Sequence, residues 1–241
     1  MKAYGLSDVG KVRPLNEDAY YLPKERERFA AVADGMGGHK AGEVASALAI
    51  EVFTQALREA GERVEEASLV QAVEKANAAI YQRGQGDRSL RGMGTTLTAL
   101  WFGPDYVYLS HVGDSRAYLL RNRALMQLSN DHSLVNELVE KGEITPREAR
   151  NHPQRNFITR ALGTGRRVTP DVIKLDFQPG DAWLLCTDGL TNYLRGVELA
   201  RIMNQSLSWE DKLRWMVDEA FRRGGGDNIT ALVVPYEEER P

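Results

Sequence analysis

Four aspartates stand where an apolar, strand-forming segment meets a loop: Asp34, Asp114, Asp188 and Asp227. Because several strand ends can converge in space, side chains placed in this way can share one cleft. The Asp-Gly pairs at positions 34 and 188 are also the strongest short hairpin signal. The residues after Gly35 and Gly189 favour helices rather than returning strands, which argues against hairpins at these two places. A predicted strand follows Asp114, so a hairpin turn and a metal site both remain open there.

The chemistry of these side chains points to hard cations. Clustered carboxylates without nearby histidine or cysteine favour Mg²⁺ or Mn²⁺ over zinc. Buried like charges are costly unless cations neutralise them, and Gly35 could let its backbone carbonyl approach a metal as well. Two ions about 3.5–4 Å apart can lower the pKa of a shared water and orient it for attack on phosphorus. The aspartates alone therefore predict two-metal hydrolysis of a phosphate ester.

Short β-branched or aromatic segments, bounded by turn residues, predict the strands that must carry these aspartates. They are 19–22, 29–33, 95–102, 106–111, 117–120, 125–128, 172–177, 182–187 and 229–236. Neighbouring segments in the middle of the chain are only a few residues apart. This spacing indicates antiparallel hairpins, because a parallel crossover needs a dozen residues or more.

Apolar spacing and capping signals predict the helices. Apolar residues recur every four positions from Val44 to Ala56, which is typical of an amphipathic helix with a broad buried face. Ser68 and Gln71 predict a capping box that opens the next helix, and Gly84 is the predicted end of that helix. Helices and strands that come in groups rather than in regular alternation indicate a layered α+β fold, with sheets inside and helices outside.

A helical insertion is predicted between the strands of the second half. Thr145 and Glu148 flank Pro146, and these three residues combine a helix cap, a proline at the first helical position and a reciprocal glutamate. With a further helix near 134–140, they place the insertion at about 130–162.

Length, charge and cysteine content bound the function classes. A chain of 241 residues without an obvious linker predicts one domain over 1–241. Its formal charge of −3 argues against a generic nucleic-acid binder, which would be basic. The single cysteine, Cys186, lies in an apolar segment and predicts a buried small hydrophobe rather than a nucleophile. No uncharged run reaches the ~20 residues of a membrane helix, so we expect a soluble, cytoplasmic protein.

Six short motifs follow one another in the order that a known family shows. They are Asn16-Glu17-Asp18, Asp34-Gly35-Met36-Gly37-Gly38-His39, Gly92-Met93-Gly94-Thr95-Thr96, Gly113-Asp114-Ser115-Arg116, Thr187-Asp188-Gly189-Leu190 and Gly226-Asp227-Asn228-Ile229-Thr230. The series resembles the PP2C-like (PPM) family of metal-dependent protein serine/threonine phosphatases, most closely its compact bacterial members. The resemblance implies a four-layer α-β-β-α sandwich of two antiparallel sheets flanked by helices. It also implies that the insertion at about 130–162 is a flap beside the active-site cleft.

The same resemblance implies a centre for two core Mn²⁺ or Mg²⁺ ions. Asp34 would bridge the two ions, and the carbonyl of Gly35 would bind one of them. Asp188 and Asp227 would complete the ligands of the other ion. No metal-ligand position of the family is lost in this sequence.

Further roles are implied around this centre. Asp114, together with Asp188, would help to hold a third, weaker ion, and Asp18 would contact metal-bound water. Arg13 matches the phosphate-binding arginine of the family, since a guanidinium suits two phosphate oxygens; a solvated surface charge is the alternative. His39 matches a residue proposed to protonate the leaving alkoxide, and an ordinary loop histidine is the alternative.

The resemblance therefore implies a signalling enzyme, a phosphoprotein phosphatase. A metal-bridging water or hydroxide would attack phosphoserine or phosphothreonine directly. Expected partners are proteins phosphorylated by a cognate serine/threonine kinase, without nucleic acid or membrane, and the expected state is a monomer. Two alternatives stay open, a catalytically silent homologue that binds phosphoproteins and a two-metal nuclease. The intact aspartates disfavour the first, and the absence of positive net charge disfavours the second.

Overall fold

The structure is a computed structural model that describes residues 1–24, 27–37, 40–61 and 64–236. Its strands are β1 Tyr4–Asp8, β2 Asp18–Tyr21, β3 Phe29–Met36, β4 Gly94–Thr95, β5 Leu97–Phe102, β6 Tyr106–Val112, β7 Arg116–Arg121, β8 Ala124–Gln127, β9 Asp171–Asp176, β10 Ala182–Cys186 and β11 Ile229–Pro235. Its helices are α1 Lys40–Ala60, α2 Glu66–Gly86, α3 Leu134–Glu140, α4 Pro146–Arg150, α5 Asp188–Thr191, α6 Gly196–Met203 and α7 Trp209–Arg222. Within these ranges, no helix is both long and apolar enough to cross a lipid bilayer.

The strands form two antiparallel sheets, as the short connections predict. The first sheet has the order β1-β11-β10-β7-β8, and the second has the order β2-β3-β5-β6-β9 with β4 paired to β3. β1 was not among the predicted strands; it is short, and its residues are all half-buried. Tyr4–Asp8 is a strand because it pairs with residues 229–233 of β11, at the other end of the chain.

The two sheets face each other across an apolar core, and helices cover their outer faces. Val32 and Leu109 of the second sheet belong to the same buried cluster as Trp183 and Leu185 of the first. A separate cluster joins α1 and α2 to the second sheet, and another joins α5, α6 and α7 to the first. The α+β class and the four-layer α-β-β-α sandwich are therefore confirmed.

The helix caps follow the sequence signals with one correction. At α4, the Glu148 carboxylate accepts from the Thr145 backbone N at 2.8 Å, and the predicted capping box forms. At α2, Glu65 is the N-cap residue, and Ser68 is the third helical residue, whose hydroxyl accepts from the Glu65 backbone N at 3.3 Å. The prediction that Ser68 opens this helix was wrong, because serine here takes the reciprocal position of the box. The helix also continues beyond Gly84 to its last residue at position 86.

The chain between β8 and β9 forms α3 and α4, in the place expected for the helical insertion. We call residues 130–162 the flap. At one end, the backbone N of His132 donates to the Gly113 carbonyl at 2.8 Å. At the other end, Leu162 forms an isolated antiparallel bridge with Thr95 of β4. These contacts tie one end of the flap to the loop that follows β6 and the other end to β4.

Candidate active site

Both sheets contribute aspartates to one end of the sandwich. In the second sheet, Asp34 of β3 is the register partner of Asp18 of β2, and Asp114 follows β6. In the first sheet, Asp188 begins α5 two residues after the end of β10, and Asp227 lies two residues before the start of β11. All of these residues except Asp18 line one cleft of about 560 Å³. Asp18 lies close enough to Asp34 to act on its ionisation. The structure thus brings the five predicted carboxylates together.

A ring of hydrogen bonds holds Asp34 and its neighbour in place. The Asp34 backbone N donates to Thr96 Oγ1 at 2.9 Å, and the Asp34 carbonyl accepts from the Thr96 backbone N at 2.9 Å and from Thr95 Oγ1 at 2.8 Å. The Gly35 backbone N donates to the Glu17 carbonyl at 3.0 Å. The position of the Asp34 carboxylate is therefore set by backbone that cannot easily shift.

Gly35 lies where no side chain fits. A β-carbon added to Gly35 would lie 2.1 Å from the Gly42 carbonyl oxygen and 2.5 Å from that of Glu17. The start of α1 and the segment before β2 therefore press directly on the backbone of β3. The glycine lets the chain around Asp34 pack this closely, which explains why an Asp-Gly pair occurs here without a hairpin.

The cleft disfavours ionised carboxylates. Burial, and then the negative charges of Asp18 and Asp188, raise the pKa of Asp34 well above its ordinary value. Burial likewise raises the pKa of Asp18 to about 7 and that of Asp114 to about 8. The pKa of Asp188 is raised by burial and by the nearby charge of Asp227. A cluster of this kind needs protons or cations to offset its charge.

A hard divalent cation fits this donor set. Asp18 Oδ1 and Asp114 Oδ1 are buried without a hydrogen-bond partner in the described residues, although buried polar atoms normally have one. Every side chain in the cluster offers carboxylate oxygen, which suits Mg²⁺ or Mn²⁺. No group of three or more acidic, histidine or cysteine side chains in the described ranges is arranged to hold one ion by itself.

Arg13 lies at the rim of the cleft and binds Asp227. Its Nε lies 2.9 Å from Asp227 Oδ1, and its Nη2 lies 3.0 Å from Oδ2, so the contact is bidentate. The side chains are 47% and 34% exposed, and solvent weakens such a pair. The predicted phosphate-binding guanidinium is thus at the site, but a predicted metal ligand holds it. Arg13 and Asp227 are more than 200 residues apart in the chain, so no local pattern indicates this contact.

Comparison with known proteins identifies the family. Residues 12–228 match the family described as Protein phosphatase 2C. The chain belongs to the protein phosphatase 2C family. It is similar to the serine/threonine phosphatase stp of Listeria monocytogenes serotype 4b (strain F2365), with 39% identity over 241 residues, 97% of this chain and 95% of that protein. It is 42% identical over 227 residues to the serine/threonine protein phosphatase PstP of Mycobacterium tuberculosis, covering 94% of this chain and 43% of PstP.

Solved structures of protein phosphatase 2C relatives share the fold. The crystal structure of Mycobacterium tuberculosis PstP/Ppp matches with a TM-score of 0.91 at 39% identity, covering 98% of this chain and 99% of the other. The catalytic domain of PstP in complex with 2 manganese ions matches with a TM-score of 0.86 at 38% identity, covering 96% of each chain. The family resemblance seen in the motifs is therefore confirmed.

In this phosphatase 2C chain, Asn228 anchors the segment that carries Arg13. The Asn228 Nδ2 donates to the Val9 carbonyl at 2.8 Å and to the Leu15 carbonyl at 2.9 Å. One side chain therefore holds the backbone on both sides of Arg13. Asn228 had no predicted role, and its position directly after Asp227 is the signal that could have indicated one.

Two further residues that the sequence analysis missed orient carboxylates. Thr187 Oγ1 donates to Asp18 Oδ2 at 2.9 Å, which links the two sheets at the cleft. Asn192 Nδ2 donates to Asp188 Oδ2 at 3.1 Å. The spacing of four residues between Asp188 and Asn192 could have indicated this contact, because such residues are neighbours on a helix.

The remaining candidates have separate outcomes. His39 lies outside the described residues, so its role as an acid stays a prediction. His132 is buried, accepts from the Gly113 backbone N at 3.0 Å through Nδ1 and therefore donates through Nε2 to Asp171 Oδ2 at 3.1 Å. Cys186 is fully buried, and burial raises the pKa of its thiol to about 12. The expectation of a buried, unreactive cysteine thus agrees with the structure.

Proposed function

We propose that this chain is a protein serine/threonine phosphatase that hydrolyses phosphoserine and phosphothreonine with the help of Mn²⁺ or Mg²⁺. The observation that carries this function is the meeting of aspartates from both sheets in one cleft, where burial and the nearby negative charges raise the pKa values of Asp34 and Asp188. The relatives named serine/threonine phosphatases support the substrate class. The 2 manganese ions in the PstP catalytic domain support the cofactor.

The proposed metal-holding residues are those that surround the cleft: Asp34, Gly35, Asp188, Asp227, Asp114 and Asp18. When bound, two divalent ions lower the pKa of a water, orient it for in-line attack on phosphorus and offset charge on the phosphoryl oxygens. The chain's part is to hold its oxygen ligands still. The hydrogen bond from the Asp34 backbone N to Thr96 Oγ1 and the one from Asn192 Nδ2 to the Asp188 carboxylate serve this purpose. The third, weaker ion proposed for Asp114 and Asp188 has a ready donor in the unpaired Asp114 Oδ1.

Arg13 is proposed to bind the phosphate of the substrate. Its guanidinium can donate two parallel hydrogen bonds to phosphate oxygens in the same way as it now donates to both oxygens of Asp227. The partial exposure of the pair makes this exchange of partners inexpensive. His39 keeps its predicted role as donor of the leaving-group proton, which rests on its place in the sequence alone.

Nothing favours the two alternative functions. A silent phosphoprotein-binding homologue would have lost a metal aspartate, but all of those predicted line or adjoin the cleft. A two-metal nuclease would need a basic surface for a polyanion, whereas the chain has a formal charge of −3.

The test is phosphatase activity on an aryl phosphate and on a phosphothreonine peptide, with Mn²⁺ and with a chelator. We expect turnover with Mn²⁺ and none with the chelator. Asp34→Asn should reduce turnover to the metal-free background and weaken Mn²⁺ binding in calorimetry. The matched control, Asp105→Asn, changes an exposed aspartate outside the cleft and should behave as wild type. Full turnover in the chelator, or none with Mn²⁺, would contradict the proposal.

We also propose the biological setting. The expected partners are proteins phosphorylated by a cognate serine/threonine kinase, and we propose that the chain works as a single-domain monomer. A cytoplasmic location is supported by Cys186, which is buried as a free thiol and has no second cysteine in the sequence to pair with.

A further inference from the structure

We call the cleft lined by Asp34, Asp114, Asp188 and Asp227 the metal cleft. A second, larger cavity adjoins it. Its volume is about 760 Å³. It is lined by residues of α3 and α4 in the flap, by β7, and by the chain that runs from α5 into α6. Asp114, Asn156 and Asp188 line both this cavity and the metal cleft, so the two spaces are continuous. We call the cavity the flap groove. Its volume falls in the range of about 300–1,000 Å³ that is typical of ligand sites.

Apart from Asp114 and Asp188, which also line the metal cleft, the charged side chains of the flap groove are mostly positive. Among the described residues, its other charged side chains are five arginines and two carboxylates. The arginines are Arg116, Arg150, Arg155, Arg195 and Arg223, and the carboxylates are Asp131 and Glu198. A groove with this balance attracts anionic groups and repels cationic ones.

Two of these arginines are already neutralised within the protein. Arg116 Nε lies 2.9 Å from each carboxylate oxygen of Asp131. Arg223 Nη2 lies 2.6 Å from Glu198 Oε1, and its Nε lies 2.8 Å from Glu219 Oε1. These guanidiniums support the walls of the groove and have little charge left for a ligand.

The other arginines remain available. Arg150 and Arg155 are exposed on the flap and form no ion pair within the described residues; their only mutual contact joins Arg155 Nη1 to the Arg150 carbonyl at 3.5 Å. Across the groove, the Arg195 side chain is 64% exposed, and it shares Glu198 with another arginine. The uncompensated positive charge of the groove is therefore concentrated on the flap.

We propose that the flap groove binds the polypeptide beside the phosphorylated residue and selects substrates with aspartate or glutamate side chains there. The proposal rests on the proposed function, because it places the phosphorylated residue in the adjoining metal cleft. Arg150 and Arg155 donate paired hydrogen bonds to the substrate carboxylates, for which a planar guanidinium is suited. A substrate with lysine at the same positions meets like charge and binds less well.

The experiment compares kcat/KM, with Mn²⁺, on three phosphothreonine peptides that differ only in their flanking residues, which are acidic, alanine or lysine. We expect kcat/KM to be highest for the acidic peptide, lower for the alanine peptide and lowest for the lysine peptide. Each arginine that a charged flank contacts should change kcat/KM by about two- to fivefold. In the double variant Arg150→Gln and Arg155→Gln, kcat/KM should be nearly the same for the three peptides. The control variant Arg147→Gln and Arg166→Gln removes the same charge from exposed arginines outside the groove and should keep the preference.

An aryl phosphate without a peptide monitors the metal centre, and both double variants should hydrolyse it at the wild-type rate. The peptide preference should also shrink as salt is added, since exposed charges are screened. Equal values for the three peptides with the wild-type enzyme would overturn the groove proposal and leave the phosphatase function standing. Retention of the preference in the Arg150 and Arg155 variant would overturn it as well. Absence of Mn²⁺-dependent turnover on every substrate would overturn the proposed function, and the groove proposal with it.

Discussion

His111 and His132 lie side by side inside the protein at the base of the flap, with ring centroids 4.8 Å apart and ring planes tilted by 34°. His111 is 1% exposed, and its Nε2 lies 3.0 Å from the Asn130 carbonyl oxygen. Burial, and then the neighbouring His132, lower the pKa of His111 to about 4, although the carboxylates of Asp131 and Asp171 act in the opposite direction. We predict that His111 makes the folded protein sensitive to mild acid.

The sign and size of the effect follow from the two pKa values. A histidine in an unfolded chain has a pKa of about 6.5, so below that pH the unfolded chain takes up a proton that folded His111 refuses. The stabilisation is complete above the unfolded value and is lost as the pH falls towards the folded value of about 4. Between about pH 7 and about pH 5, this one site should lower the free energy of unfolding by about 2 kcal/mol.

The assay is urea unfolding, followed by tryptophan fluorescence, at both pH values and in the presence of a chelator. His111→Gln removes the titrating group but keeps an amide that can donate to the Asn130 carbonyl. The cleft aspartates and His132 titrate in both proteins, so the difference between the two pH effects isolates His111. Wild type should lose about 2 kcal/mol more than the variant on acidification. Equal losses, or an NMR titration of His111 near the ordinary histidine pKa, would refute the reasoning.

Three further predictions concern the site and the core. Gly35→Ala places a β-carbon 2.1 Å from the Gly42 carbonyl oxygen, and we expect a loss of about 1–3 kcal/mol in thermal unfolding, together with weaker Mn²⁺ binding in calorimetry; an unchanged Tm would contradict this. Arg13→Lys keeps the positive charge but removes the planar guanidinium that can donate two parallel hydrogen bonds, so KM for an aryl phosphate should rise by about threefold or more. An unchanged KM would count against phosphate binding by Arg13. Cys186 should resist a thiol reagent until the protein is unfolded with urea, because the side chain is fully buried; rapid labelling of the native protein would show the opposite.

The chemistry-bearing residues could be predicted from the sequence because each lies in a short local pattern. Asp34 and Asp188 each follow an apolar strand and precede a glycine, and the helix signals after them excluded hairpins. Hydrophobic periodicity likewise indicated most strands, β1 excepted, and most helices, since these depend on neighbours along the chain. The local errors have local causes, as at α2, where Ser68 occupies the third helical position rather than the cap.

Other features required the tertiary structure, because they depend on contacts between distant parts of the chain. β1 exists only through its pairing with β11. Two contacts join the N-terminal part of the chain to the C-terminal part. Arg13 pairs with Asp227, and Asn228 donates hydrogen bonds to the backbone on both sides of Arg13. The flap groove likewise exists only because residues of α4, α6 and β7, which are far apart in the sequence, line one cavity.

The sequence by itself thus determined the types of residue, their local elements and the family that they indicate. The tertiary structure decided which side chains share a desolvated cleft, and it is this shared burial that raises the pKa of Asp34 and creates the demand for cations. The physical reason is that residue type and hydrophobic spacing act over a few residues, whereas desolvation and charge repulsion act through space.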